Sequence, residues 1–156
     1  MPNPQRIRWI FACLIFTPLS VSFTDSSNTY RLVELEKLHE NTIRSVIQQQ
    51  LNAFNREDYD TAYFFASRHI QIKFSRPEFE QMVKTEYRQI AKSQRAVIDK
   101  IAFSGGEDQA VATVTITGAD RITITANYRM TLEDGRWKVD GVLIINQRTP
   151  IVYEQN

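Results

Sequence analysis

The chain has 156 residues, enough for one domain with a single hydrophobic core and too few for two. Hydrophobic residues make up 42% and aromatic residues 11%, which is typical of a folded protein and argues against disorder. The formal net charge is +1, and the basic residues are scattered among acidic ones, so we expect no nucleic-acid partner.

Residues 1–22 have the pattern of a signal peptide. Arg6 and Arg8 precede an apolar run over residues 9–19, and small residues follow at both positions that signal peptidase reads, which predicts cleavage before Phe23. The run has about half of the ~20 residues that a membrane-spanning helix needs. We therefore predict an exported protein, periplasmic or secreted. The alternative is an anchor formed by an uncleaved leader, without which no stable membrane span is expected.

The only cysteine, Cys13, lies inside this apolar run. Phe11 stands where a lipoprotein signal has a small residue, which disfavours lipidation. Removal of the leader would leave no thiol, no disulfide and no cysteine ligand for a metal. It would also remove Arg6 and Arg8, two of the 19 basic residues, against 18 acidic ones, for a formal charge near −1.

The first half of the mature chain is predicted to be helical. Residues 23–35 are interpreted as a polar linker before a domain that covers residues 36–147, and residues 148–156 as a C-terminal tail. Apolar residues at helical spacing predict a first helix from about Val33 to Asn55. A short second helix is expected after Asp58, which is a good N-cap residue.

A brief strand and a third helix complete this half. Apolar and polar residues alternate over residues 70–74, which predicts the strand. Ser75 and Glu78 have capping-box spacing, and Pro77 lies in the first turn that they predict, so the third helix should begin there.

The second half alternates with a period of two, which is the signal of β-strands. Asp134-Gly135 is a hairpin signal between the last two strands. Residues 142–145 are apolar on both faces, so both should be covered, one by the helices and the other by the tail or by a second copy of the chain. The predicted strands are Gln94 to Phe103, Gln109 to Thr117, Arg121 to Leu132 and Arg136 to Asn146.

Helices followed by one curved antiparallel sheet predict an α+β cone that encloses a pocket. The order and spacing of Gln50–Phe54, Asp58–Ser67, Ile70-Gln71, Phe79 and Trp137–Leu143 resemble the bacterial family called domain of unknown function 4864. That family belongs to the nuclear-transport-factor-2-like superfamily. The resemblance implies three N-terminal helices packed on a curved antiparallel sheet in a bacterial, often exported protein, and it implies no assigned activity.

Four polar residues are candidates for binding a ligand in the cone. Gln50 falls on the apolar stripe of the first helix, where a buried amide needs hydrogen-bond partners. Tyr63, Tyr87 and Tyr128 fall on predicted inner faces of three different elements, and tyrosine combines an apolar body with a polar tip. The alternative for all four is ordinary core packing with satisfied polar atoms.

No catalytic residue, metal site or cofactor is predicted. His39 and His69 have no acidic cluster at metal-ligand spacing, and His69 has no acid at an obvious orienting position. Asp140 shares a face with Lys138 and is expected to point outward. Asp99 would be the best candidate for a functional carboxylate if its face lined the cavity, and otherwise it is an exposed or salt-bridged acid.

Three functions stay open at this point. The first is a non-catalytic module that binds a small apolar or amphipathic molecule, or a partner protein, at the cone. The second is a structural domain with a filled cone that forms a homodimer through the outer face of the sheet. The third is a small acid–base enzyme of the isomerase or dehydratase type. A cavity of about 300 Å³ or more would favour a ligand.

Overall fold

The computed structural model describes residues 26–104, 106 and 108–148. The predicted signal peptide and residues 149–156 of the predicted tail lie outside this range. The described elements, in chain order, are helices α1 (Ser26–Asn55), α2 (Tyr59–Phe64), α3 (Arg68–Lys73), α4 (Arg76–Glu86) and α5 (Arg88–Ala91), then strands β1 (Ser93–Phe103), β2 (Gln109–Gly118), β3 (Thr123–Glu133) and β4 (Arg136–Arg148).

The four strands form one antiparallel sheet in the order β1-β2-β3-β4. Each of the four strands predicted in the second half of the chain is confirmed, with bounds that differ by at most two residues. The predicted hairpin is also confirmed, because Asp134 and Gly135 both have positive φ, as a two-residue turn of this kind requires. The inner face of the sheet packs on the helices, and its buried residues in β3 are Ile124, Ala126, Tyr128 and Met130.

Helix α1 begins at Ser26, seven residues before its predicted start at Val33, so most of the predicted linker (residues 23–35) is helical. The segment contains no glycine or proline, and its Leu, Glu and Arg residues favour helix. Helix α1 packs on the core from His39 onward, whereas residues 29–38 are exposed. Its buried apolar stripe consists of Ile43, Val46, Ile47, Leu51 and Phe54.

The strand predicted over residues 70–74 is wrong, because this segment forms helix α3. Ser67 caps the helix, since its hydroxyl accepts a hydrogen bond from the Ile70 amide at 3.2 Å. Alternation over so few residues does not separate a strand from a short helix. Ile72, one of the alternating apolar residues, is 80% exposed. With α5, the described chain therefore has two more helices than the three predicted.

The outer face of β4 is not covered as predicted. Leu143 and Ile145 are 64% and 52% exposed, and no described residue buries them. The preceding residues of the strand, Val142 and Ile144, are partly buried against the core. A homodimer through this face therefore stays a prediction.

His39 connects α1 to β4 through a partly buried hydrogen bond. The indole nitrogen Nε1 of Trp137 donates to Nδ1 of His39 at 2.8 Å, and the two rings meet edge to face with centroids 5.6 Å apart. Trp137 is almost fully buried. His39, for which the sequence suggested no role, is thus the acceptor that this indole needs.

Replacing His39 with phenylalanine should lower the free energy of unfolding by about 1–3 kcal/mol, because the Trp137 N–H would stay buried without an acceptor. Urea unfolding measures the loss. The double variant His39→Phe/Trp137→Phe removes both polar partners, so it should cost less than the sum of the two single variants. If the stability loss of the double variant equalled the sum of the losses of the two single variants, the hydrogen bond would contribute nothing to stability.

Candidate functional site

A cavity of about 550 Å³ lies between α1, α3, α4 and the β3–β4 pair. This volume falls within the range of small-molecule sites, about 300–1,000 Å³. Exposed side chains from α3, α4, β3 and β4 surround the mouth, so the cavity opens to solvent. Its walls are mostly apolar and include Phe54, Phe74, Phe79, Met82, Val83 and Val142.

Tyr128 lines this cavity from the centre of β3. Its side chain is fully buried, and its hydroxyl has no hydrogen-bond partner among the residues that the structure describes. Burial raises the pKa of Tyr128 far above its usual value, and nearby Tyr87 adds to the shift. The hydroxyl therefore stays protonated, and in the described structure it is covered by neighbouring atoms next to the cavity.

Gln50 and Tyr87 line the same cavity and are partly satisfied by backbone groups. The amide nitrogen Nε2 of Gln50 donates to the carbonyl oxygen of Ala62 at 3.1 Å. The Tyr87 hydroxyl donates to the carbonyl oxygen of Val142 at 3.2 Å, and burial raises its pKa. The geometry of Gln50 and Tyr87 therefore fits both ordinary core packing with satisfied polar atoms and a role in binding a ligand in the cavity.

Tyr63 does not line the cavity. Its hydroxyl lies 2.7 Å from the carbonyl oxygen of Phe74 and 3.0 Å from that of Gln71, and its ring packs edge-on against Phe79. Tyr63, a residue of α2, thus holds the C-terminal end of α3 in place. The structure brings three of the four candidate residues together, and Tyr63 supports the wall instead.

Asp140 lies at the mouth of the cavity, which the alternation of β4 did not predict. Met130 pairs with Val139 and Arg129 pairs with Gly141, so Asp140 is the extra residue of a β-bulge. A Cβ atom at Gly141 would lie 2.8 Å from the Arg129 guanidinium, so glycine leaves room for that side chain. A glycine inside a strand is a signal of a bulge, and Gly141 was the available clue.

The carboxylate of Asp140 connects three elements. It accepts hydrogen bonds from the Ser67 hydroxyl at 2.7 Å and from Nδ1 of His69 at 3.2 Å. Arg129 donates to the backbone carbonyl of Asp140 at 3.1 Å, and its guanidinium lies 3.7 Å from the carboxylate. The expectation that no acid orients His69 is therefore wrong.

Asp99 does not line the cavity. It is exposed on β1, where its carboxylate accepts a hydrogen bond from the Thr115 hydroxyl at 2.7 Å. Asp99 is therefore an exposed acid and not a carboxylate that lines the cavity.

Within the residues that the structure describes, no three His, Cys, Asp or Glu side chains are grouped so that they could hold a metal ion. No helix in the same residues combines the length and the apolar composition needed to cross a membrane.

Comparisons with known proteins agree with this architecture. An NTF-2-like protein of unknown function from Shewanella oneidensis MR-1 superposes with a TM-score of 0.50 and 17% identity, over 66% of this chain and 95% of that one. At this identity the likeness shows the fold alone. A domain of unknown function with a cystatin-like fold from Nostoc punctiforme gives a TM-score of 0.49 and 18% identity, over 75% of this chain and 80% of that one.

No curated protein matches the sequence significantly. The model of the family described as Domain of unknown function (DUF4864) matches residues 36–152, most of the chain. The α+β fold of the nuclear-transport-factor-2-like type, with helices packed on an antiparallel sheet, is confirmed. The match also confirms the resemblance seen in the sequence, and the chain belongs to the DUF4864 family.

Proposed function

We propose that this protein is exported and binds a small amphipathic molecule in the cavity of the cone. The observation that carries the proposal is the mostly apolar cavity of about 550 Å³, whose lining includes Tyr128, a residue with a buried hydroxyl that has no partner in the described chain. A buried donor left unpaired costs about 1–3 kcal/mol, and most buried polar groups in native proteins are paired. A ligand acceptor atom that reaches this hydroxyl after the side chains around it shift would remove this cost.

The lining supports an amphipathic ligand more than a fully polar one. Aromatic and aliphatic walls such as Phe54, Phe79 and Met82 suit an apolar body. The Tyr128 hydroxyl suits a single carbonyl, ether or hydroxyl oxygen on that body. A volume of about 550 Å³ argues against a cone that is filled by its own side chains.

Export is proposed on the pattern of residues 1–22 alone, with a positive start, an apolar run and small residues before Phe23. Cleavage there would release the domain into the periplasm or medium. Pairing of two copies is a separate proposal, supported by the exposed Leu143 and Ile145.

Native mass spectrometry of the protein exported from a bacterial host tests this proposal. We expect a chain that begins at Phe23 and carries a non-covalent mass that unfolding releases, and the same spectrum reports the number of subunits. Met82→Trp narrows the cavity and should lower the bound fraction, whereas Gln81→Trp adds the same side chain on the exposed side of α4. An empty wild-type protein, or equal retention by both variants, would contradict ligand binding.

A further inference from the structure

We propose that the molecule bound at this cavity is an extended peptide segment of another protein, which adds a strand to the free edge of β4 and places one apolar side chain in the cavity. The inference rests on the proposed function, because it names the class of ligand that the cavity takes. It also assigns a binding role to the part of β4 beside the mouth.

The sheet has two edge strands, β1 and β4, and α1 covers the first of them. The Arg44 guanidinium donates to the Ile98 carbonyl at 2.8 Å. The side-chain amide of Asn55 donates to the Ser93 carbonyl at 2.8 Å. Unpaired backbone groups at a sheet edge are a template for pairing with another chain, so native proteins usually cover or interrupt them. The β1 edge follows this rule.

The first half of the β4 edge is covered by the segment before α3. The Val139 amide donates to the Phe65 carbonyl at 2.9 Å, and the Ser67 amide donates to the Val139 carbonyl at 2.8 Å. The Tyr87 hydroxyl donates to the Val142 carbonyl at 3.2 Å. The covering contacts end there. Among the described residues, only β3 hydrogen-bonds to the backbone of residues 143–148.

The backbone groups of Ile144 point away from β3. In an antiparallel pair, alternate residues direct their N–H and C=O groups to the same side. Val139 and Ile144 pair with Met130 and Ala126, which lie four positions apart on β3, and the extra residues of both bulges lie on β4. Val139 bonds outward, to the segment before α3, and Ile144 therefore has the same orientation. Its N–H and C=O have no partner in the described chain.

The size of the open edge favours a peptide over a second copy of the chain. Residues 142–144 contain neither lysine nor proline, which commonly protect an edge, and the bulge at Ile145 bends the strand beyond them. All of residues 143–148 form a strip about 20 Å long and one strand wide. A stable interface between two copies needs about 1,200 Å² or more, which this strip does not supply.

The open edge begins at the mouth of the cavity. Gly141, Val142 and Leu143 line the cavity from β4, and His69 of α3 and Glu86 of α4 line it from the helical side. Side chains of an added strand alternate between the two faces of the sheet, so those on the helical face can enter the cavity. Strand addition gains affinity from main-chain hydrogen bonds and specificity from such a pocket. The edge and the cavity together therefore fit an extended peptide.

A phage-displayed library of random peptides, selected against the purified protein, supplies the probes. Fluorescence polarisation of the recovered peptides gives their Kd values, and we expect each to carry a large apolar residue. N-methylation of the peptide backbone, one position at a time, should weaken binding about tenfold or more at alternate positions only, because alternate N–H groups pair with the edge. Equal binding by all N-methylated peptides would overturn strand addition, whatever the protein variants show.

Ile144→Pro tests the edge from the side of the protein. It removes the outward N–H at a position where an edge strand tolerates proline. The Kd of the peptide should rise about tenfold or more, because a peptide carbonyl loses its donor. Ile144→Val keeps the N–H and should bind as the wild-type protein does. Met82→Trp should also weaken binding, and Gln81→Trp should not.

Amide exchange followed by NMR reports whether the edge is open in the free protein. The Ile144 amide should exchange fast in the free protein and slowly in the complex. The Leu143 amide, which faces β3, should be slow in both and serves as the internal control. Protection of Ile144 in the free protein would overturn the inference. Such protection would show a second copy on the edge if dilution removes it, and the chain's own residues if it does not.

The outcomes separate the peptide from the proposed function. Retention of a small molecule in the cavity, with no selected peptide bound, would overturn the peptide and leave the proposed function standing. Peptide binding that Met82→Trp leaves intact would place the peptide outside the cavity and would also overturn the inference. A protein that retains no molecule and binds no peptide would contradict both.

Discussion

Tyr128→Phe is expected to weaken the retention of the bound molecule about tenfold or more without lowering the free energy of unfolding of the empty protein. The change removes one oxygen atom, whose hydrogen is unpaired in the described structure. In the empty protein its loss therefore breaks no bond. In the complex it leaves a ligand acceptor buried without a donor, which costs about 1–3 kcal/mol. Isothermal titration with the molecule recovered from the wild-type protein measures the first effect, and urea unfolding the second.

Tyr59 offers a matched control within the same core. Its hydroxyl is also buried without a described partner, but Tyr59 does not line the cavity. Tyr59→Phe should therefore resemble Tyr128→Phe in stability and the wild-type protein in binding. Equal binding by Tyr128→Phe and wild-type protein would remove the main support for the proposed site.

Ile47→Ala is expected to lower the free energy of unfolding by about 2–5 kcal/mol, the usual cost of truncating a fully buried aliphatic side chain. Ile47 is 0% exposed in the stripe that packs α1 against the sheet. Leu38→Ala, in the same helix at a position 60% exposed, should change stability by about 0.5 kcal/mol or less. Urea unfolding at one temperature compares the two. Similar losses in both variants would show that α1 is not anchored by this stripe.

The sheet could be predicted because its signals are local. Apolar and polar residues alternate without interruption from Ile122 to Leu132. The turn of the following hairpin is specified by two adjacent residues, Asp134 and Gly135. The helix caps are local as well. The Asp58 carboxylate accepts from the Thr61 amide at 3.0 Å, and the Ser75 amide donates to Glu78 at 2.8 Å.

Helix α3 was missed because two weak local signals competed. Ile70 and Ile72 alternate with polar neighbours as in a strand, while Ser67 is an N-cap residue three positions before Ile70. The segment is a helix that Ser67 caps. None of its residues is buried, so the alternation of apolar and polar residues does not favour a strand here.

The contact between His69 and Asp140 at the mouth of the cavity joins residues that are far apart in the sequence, so no local pattern predicts it. His69 and Asp140 are 71 positions apart, and they meet only because α3 packs beside the bulge in β4. Strict alternation assigns Asp140 to the face of Lys138, and the extra residue in the bulge breaks that assignment. Gln50, Tyr87 and Tyr128 line the cavity, as helical and strand periodicity place them inward, and their role in binding a ligand stays a prediction.

The most direct test is a high-resolution crystal structure of the protein as purified, without refolding. The account predicts density for a non-water molecule in the cavity, with an acceptor atom about 2.7–3.0 Å from the Tyr128 hydroxyl. A cavity closed by its own side chains, or a Tyr128 hydroxyl paired with a protein group, would contradict it.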